Sequence, residues 1–270
     1  MDKKLYAPDI TKLKGVRKFS MVTAYDYTSA LLVSMTEIDV ILVGDSLAMV
    51  MLGHENTLNV TVDEMLIFLK AVKKGAPNKM IVADMPFLSY QIDIKDAIEN
   101  AGKLIKAGAD AVKIEGFEYP IPEVTERLSS IGIPVMSHIG LTPQHVLKFG
   151  GFKIQANTKE EADKIVSASK KLEECGAFCV LLEAIPEEIS EVITKELRVP
   201  TIGIGAGRFV DGQVLVWQDL LGINPNKVPK FVRKYANIKD TIIESLNRYH
   251  FDVINSTFPS FEEAYHLKRV

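Results

Sequence analysis

Four carboxylic acids close short apolar runs in this chain. They are Asp45 in Leu42-Val-Gly-Asp-Ser46, Asp84 in Ile81-Val-Ala-Asp84, Glu115 in Val112-Lys-Ile-Glu115 and Glu183 in Val180-Leu-Leu-Glu183. Any one of them, taken alone, serves equally well as a cap for a following helix. Several brought together would repel one another, raising their pKa values and costing stability unless a cation compensates. Asp45, Asp84 and Glu115 are therefore candidate metal ligands. An all-oxygen set with no nearby cysteine suits a hard divalent ion, magnesium rather than zinc. Lys113 lies two residues before Glu115 and shares its face if the segment is a strand, as counter-ion to the acids or as a partner for an anionic substrate group. Ser46 offers a hydroxyl at a turn, which is also an ordinary turn residue. Glu183 sits in the apolar run Phe178–Pro186, so desolvation is expected to raise its pKa toward that of a general base, unless a Lys or Arg pairs with it. His138, in Met136-Ser-His-Ile-Gly140, is an auxiliary candidate that could donate a proton or act only as a structural hydrogen-bonder. His54, His145, His250 and His266 lack ligand spacing and are assigned nothing.

These groups need a scaffold, and the apolar runs supply it. Eight recur: Phe19–Tyr25, Val40–Ser46, Met80–Pro86, Ala111–Gly116, Ile133–Gly140, Phe178–Ile185, Thr201–Gly207 and Gln213–Leu220, the last being the weakest. Continuous runs of this length fit parallel strands covered by helices on their outer face. Between them, Thr61-Val-Asp-Glu64 and Thr158-Lys-Glu-Glu161 read as capping boxes, and Gly108 and Gly176 stand where helices would end. Eight strand-and-helix units predict one α/β domain, residues 1–270, folded as a (β/α)8 TIM barrel rather than a doubly wound sheet with a second domain. Residues 226–270 are expected as a helical extension that packs on the barrel or in a subunit interface. It would comprise Val228–Ala236, an amphipathic stretch Lys239–Ile254, a break at Ser256–Pro259 and a final capped helix from Ser260.

In such a barrel the C-terminal strand ends form the active site. Adjacent strands lie ~4.8 Å apart, so the second, third and fourth would bring Asp45, Asp84 and Glu115 within reach of one ion. Gly203-Ile-Gly-Ala-Gly207 follows the seventh run and is a weak candidate phosphate cradle. Phe149-Gly-Gly-Phe152 is a candidate hinge, more simply a turn.

Composition narrows the class. The 270 residues are 47% hydrophobic and 25% charged with a net charge of −3, which excludes a disordered chain and argues against nucleic acid as a partner. No apolar run reaches the ~18 residues of a membrane span. The N-terminal stretch Met1–Ser20, with Lys3, Lys4, Lys12, Lys14, Arg17 and Lys18, has no apolar leader pattern, which points to a cytoplasmic protein. Cys175 and Cys179 lack zinc or redox spacing and read as reduced core thiols.

Thr23-Ala-Tyr-Asp-Tyr27, Leu42–Ser46, Val112–Gly116, His138-Ile-Gly-Leu-Thr-Pro-Gln144 and Gly203–Gly207 together closely resemble the ketopantoate hydroxymethyltransferase family, in order and at family-like spacing from about Phe19 to Pro229. The resemblance implies hydroxymethyl transfer from 5,10-methylenetetrahydrofolate to 3-methyl-2-oxobutanoate, through a magnesium-stabilised enolate, as the first step of pantothenate synthesis. It implies Mg2+ at Asp45, Asp84 and Glu115, substrate contacts from Asp45, Ser46, Asp84 and Lys113, and Glu183 as the base. It also implies a homodecamer. One departure is Ala184-Ile185, where several members of the family carry Cys-Val; it touches pocket packing rather than chemistry. A magnesium enolate enzyme of the phosphoenolpyruvate mutase and isocitrate lyase group is the alternative, although the catalytic cysteine motif of such lyases is not found at a strand end. A barrel that binds an oxo-acid without turning it over is the other.

Overall fold

The computed structural model describes residues 4–267, so Lys3 of the N-terminal reading and the ends of the 1–270 range lie outside the described residues. Eight parallel strands close a barrel in sequence order: β1 (Phe19–Thr23), β2 (Val40–Val43), β3 (Met80–Asp84), β4 (Ala111–Glu115), β5 (Val135–Gly140), β6 (Cys179–Glu183), β7 (Thr201–Ile204) and β8 (Gly212–Leu215). This is the expected (β/α)8 barrel. The α-helices are α1 (Ala7–Thr11), α2 (Tyr27–Ser34), α3 (Leu47–Val50), α4 (Val62–Gly75), α5 (Ile94–Ala107), α6 (Ile121–Ser130), α7 (Val146–Phe149), α8 (Lys159–Glu174), α9 (Glu187–Glu196), α10 (Trp217–Leu220) and α11 (Ile238–Ile254). No helix among the described residues is long and apolar enough to cross a membrane.

Local chemistry sets the helix ends. Thr61 and Thr158 each accept the backbone N–H of a glutamate three residues on, and those glutamates return the bond, so both expected capping boxes form. Gly108 ends α5 in the left-handed conformation, at φ 117°. Two expectations change. Gln213–Leu220 stops as a strand at Leu215, and Trp217–Leu220 turns helical. Val228–Ala236 contains no regular helix. Downstream, α11 matches its expected range, and the capped segment from Ser260 closes as a single 3-10 turn, Phe261–Glu263.

The chain divides at Trp217 and Gln218 into a barrel unit and a C-terminal unit. Within the latter, Tyr249 of α11 meets Phe258 edge-on at 5.6 Å. The barrel unit is built on alternation: Met80-Val82-Asp84, Ala111-Lys113-Glu115 and Cys179-Leu181-Glu183 each occupy one face of a strand. The apolar members of these rows join Phe19, Met21, Leu42, Met136 and Ile202 in the barrel core, to which α1 adds Ala7 and Ile10. Every row starts apolar and ends in a carboxylate, with Lys113 preceding it in the β4 row. A packed interior thus fills the barrel from its N-terminal end, and the charges emerge at the C-terminal rim. The two thiols, Cys175 and Cys179, are buried and unpaired.

Candidate active site

Strand register determines which rim groups meet. Asp84 pairs with Lys113 across β3 and β4, Glu115 with His138 across β4 and β5, and Gly140 with Glu183 across β5 and β6. Lys113 Nζ lies 3.2 Å from Asp84 Oδ1 and 3.5 Å from Glu115 Oε1. Asp45 sits just past β2, and its backbone N–H donates to Asp84 Oδ2 at 2.9 Å. Gly44 permits that approach, since a Cβ there would come 2.9 Å from Ser46 Oγ and 3.4 Å from Asp84 Oδ2. Ser46 Oγ bonds the Tyr25 hydroxyl at 2.8 Å. All seven expected residues therefore come together at one rim, and Asp45, Asp84, Lys113, Glu115 and His138 are buried there.

Their electrostatics follow from burial. Desolvation raises Asp84 to about 7, against the opposing pull of Lys113. Asp45 rises to about 6 through desolvation and the neighbouring Glu115 charge. Burial works to depress Lys113, but Asp84, Glu115 and Asp45 overcome it and hold the ammonium above its ordinary value. His138 is lowered by burial and by Lys113, so its ring is neutral near pH 7. Its Nδ1 lies 3.1 Å from Lys113 Nζ and its Nε2 3.2 Å from Glu183 Oε2. A neutral ring accepting from the ammonium at Nδ1 carries its proton on Nε2, toward Glu183. Glu183 is itself raised by burial, a pull only partly offset by His138.

The acids outnumber the cations at this rim, and buried Asp84 Oδ1 and Glu115 Oε1 have no hydrogen bond. Such oxygens suit a hard cation. Among the described residues, no three His, Cys, Asp or Glu side chains form a ready-made ligand group. Magnesium needs fewer, since one or two carboxylates with water and substrate complete its octahedron. Asp45 and Asp84, joined through the Asp45 N–H bond, are the pair that fits it. Glu115 is only half engaged: its Oε2 accepts the Gln144 N–H at 3.0 Å, whereas its Oε1 has no hydrogen bond.

Gln144 is the residue that sequence reasoning missed, although it ends the quoted run His138–Gln144. Its buried amide donates to Asp45 Oδ2 and to the Met85 carbonyl, both at 2.9 Å, and accepts from Tyr90 Oη at 2.7 Å and from Gln91 Nε2 at 2.9 Å. Tyr90 Oη in turn accepts the Glu115 N–H at 2.9 Å. Gln144 and Tyr90 therefore hold Asp45 and Glu115 in place. The signal available was a buried-looking Gln after a strand, which no spacing rule distinguishes from a loop residue. The glycine cradle fares differently. Glu187 Oε2 accepts the Arg208 N–H at 2.8 Å and crowds Gly207, so a carboxylate occupies the turn where an anion was considered. Gly150 merely ends α7 in a left-handed turn.

The ketopantoate hydroxymethyltransferase family matches residues 4–261. The chain belongs to that family. Relatives named 3-methyl-2-oxobutanoate hydroxymethyltransferase include one from Thermotoga maritima, 51% identical across 95% of this chain and 94% of its own. Another, from Pyrococcus abyssi, is 46% identical across 96% and 91%. Among solved structures, a phosphonopyruvate hydrolase complex with oxalate and Mg++ aligns with a TM-score of 0.62 at 12% identity, covering 96% of this chain and 93% of the other. A 2,3-dimethylmalate lyase aligns with a TM-score of 0.59 at 12% identity, covering 96% and 91%. These two likenesses concern the barrel fold alone.

Proposed function

We propose that the chain transfers a hydroxymethyl group from 5,10-methylenetetrahydrofolate to 3-methyl-2-oxobutanoate, giving 2-dehydropantoate, the first step of pantothenate synthesis, with Mg2+ as cofactor. The observation that carries this reading is a partly buried carboxylate of raised pKa, Glu183, facing the same rim as the Asp45–Asp84 pair and Lys113. Asp45 and Asp84 would hold magnesium, with Glu115 behind them, and the bound ion would supply Lewis acidity toward the oxo-acid. Lys113 faces the negative charge that the oxo-acid brings and that proton removal creates. Ser46 and Tyr25 present a linked hydroxyl pair to the same space. Glu183 takes the C3 proton, and its raised pKa makes it a stronger base than an exposed carboxylate. His138 orients Glu183 from Nε2 and stays neutral throughout. Water opens the methylene bridge of the folate, so that tetrahydrofolate departs and the carbon is left as formaldehyde; the C3 carbanion bonds to that carbonyl carbon, and its oxygen takes a proton to become the hydroxyl.

Several finer features belong to the same proposal. The enzyme acts in the cytoplasm on small molecules, without nucleic acid or membrane. It works as a homo-oligomer, decameric by family resemblance, a reading supported by the more than half-exposed Ile243, Leu246, Phe251 and Ile254 on α11. Incubation with magnesium, the oxo-acid and methylenetetrahydrofolate should yield 2-dehydropantoate. Deuterium exchange at C3 in folate-free buffer should occur as well, and absence of both would remove the proposal.

A further inference from the structure

A cavity of about 510 Å³ opens beside the rim, on the side of β4 and β5. Gly116, which follows Glu115, and Gly140, which is paired with Glu183, form part of its wall. Gln91 also faces it and donates to Gln144, the amide that holds Asp45. The cavity is therefore continuous with the residues that position the acids, yet none of the acids at the rim lines it.

Its lining has two parts. Phe87, Phe117, Tyr119 and Phe149 give flat apolar surface, with Gln91 and His145 as polar groups among them. His145 Nδ1 is engaged with Thr142 Oγ1 at 2.9 Å, and burial lowers its pKa, so it enters as a neutral ring. At one side stand two ammonium groups, Lys148 and Lys164, which share the single carboxylate of Glu118 at 3.3 and 2.7 Å. Glu161 also borders the cavity, but its carboxylate accepts the Asn157 and Thr158 N–H groups at the start of α8. Lys164 Nζ further lies 5.1 Å from the centre of the Phe117 ring. Two cations over one available carboxylate leave room for an anionic group to join or replace Glu118.

We propose that this cavity seats the one-carbon carrier, with its bicyclic ring and benzoyl group against the aromatic walls and its glutamate carboxylates at Lys148 and Lys164. The inference rests on the folate-dependent reading above and adds the site to it. The volume lies in the usual range for a small-molecule pocket, and the lining supplies stacking surface, a few directed polar groups and tail cations. A phosphate-bearing carrier would meet the same lysines but would not need the four rings.

The test uses intact, magnesium-loaded protein and tetrahydrofolate mono- and triglutamate as probes, with affinity read by calorimetry. Lys148 and Lys164 are 64% and 59% exposed at the side chain, so Lys148→Ala/Lys164→Ala leaves the core untouched. Its Kd for tetrahydrofolate and its KM for methylenetetrahydrofolate should rise about tenfold or more, the factor one lost charge-assisted contact produces. The KM for the oxo-acid should move by less than about twofold, and the triglutamate's advantage over the monoglutamate should disappear. Phe117→Ala should weaken both folate forms alike. Unchanged folate Kd and KM in both variants, with 2-dehydropantoate still formed, would overturn the inference. Wild-type protein that binds tetrahydrofolate in a lysine-dependent way but forms no 2-dehydropantoate would overturn the proposed reaction and leave the cavity assignment standing.

Discussion

Replacing Asp84 by Asn tests the rim electrostatics directly. In the metal-free protein Asp84 stands at about 7 instead of 3.8, chiefly through burial. At 1.36 kcal/mol per pH unit, its ionised form costs the fold ~4 kcal/mol. Because the folded pKa is raised, stability is fully present below about pH 4, declines as pH rises toward 7, and is level above. Asn keeps an oxygen for the Asp45 N–H and carries no charge. Lys113 retains Glu115 at 3.5 Å, so it is not stranded. At roughly 2–4 °C per kcal/mol, Asp84→Asn should unfold about 10 °C above wild type at pH 8 in chelator, and within a few degrees of it near pH 4. Magnesium at a hundred times its Kd should stabilise wild type by ~2.7 kcal/mol and the variant hardly at all. Scanning calorimetry with EDTA or magnesium reads all four conditions. A variant less stable than wild type at pH 8 in chelator, or an equal magnesium gain in both proteins, would refute the reasoning.

Other expectations follow from the same geometry. Glu183→Gln should slow C3 deuterium exchange by about 100-fold or more while still binding the oxo-acid, and wild-type exchange would end its role as base. Gln144→Leu leaves Asp45 Oδ2, Tyr90, Gln91 and the Met85 carbonyl short of a partner. It should lose ~3 kcal/mol in urea unfolding and about tenfold or more in magnesium affinity, and an unaltered metal titration would show that Gln144 does not position Asp45. Gly140 adopts φ +95°, and a Cβ there would strike the Glu183 carbonyl and Ile185. Gly140→Ala should therefore cost ~2 kcal/mol or more and lower turnover by moving Glu183, whereas a neutral result by both measures would contradict the strand-end geometry.

Local patterns along the chain specify the barrel and the kinds of groups at its rim. Apolar runs with period-two rows, such as Met80-Val82-Asp84, can be buried only as strands that end in their charge, and capping boxes at Thr61 and Thr158 announce the helices between them. Both signals are local, so they are legible without coordinates. The end of the eighth strand was not: Leu215 to Leu220 is apolar enough for strand or helix, and long-range pairing with β1 decides where the strand stops. The rim contacts were less legible still. Register places Lys113 beside Asp84 and His138 beside Glu115, and a shift of one residue would turn each away from the other. Gln144 joins Asp45 across 99 residues of chain, a distance over which no periodicity speaks. The filling of the glycine turn by Glu187 likewise depends on two segments meeting only in the fold. Composition and spacing thus dictate which charges must be buried together, whereas their partners, their pKa values and the cavity beside them are properties of closed register and long-range packing.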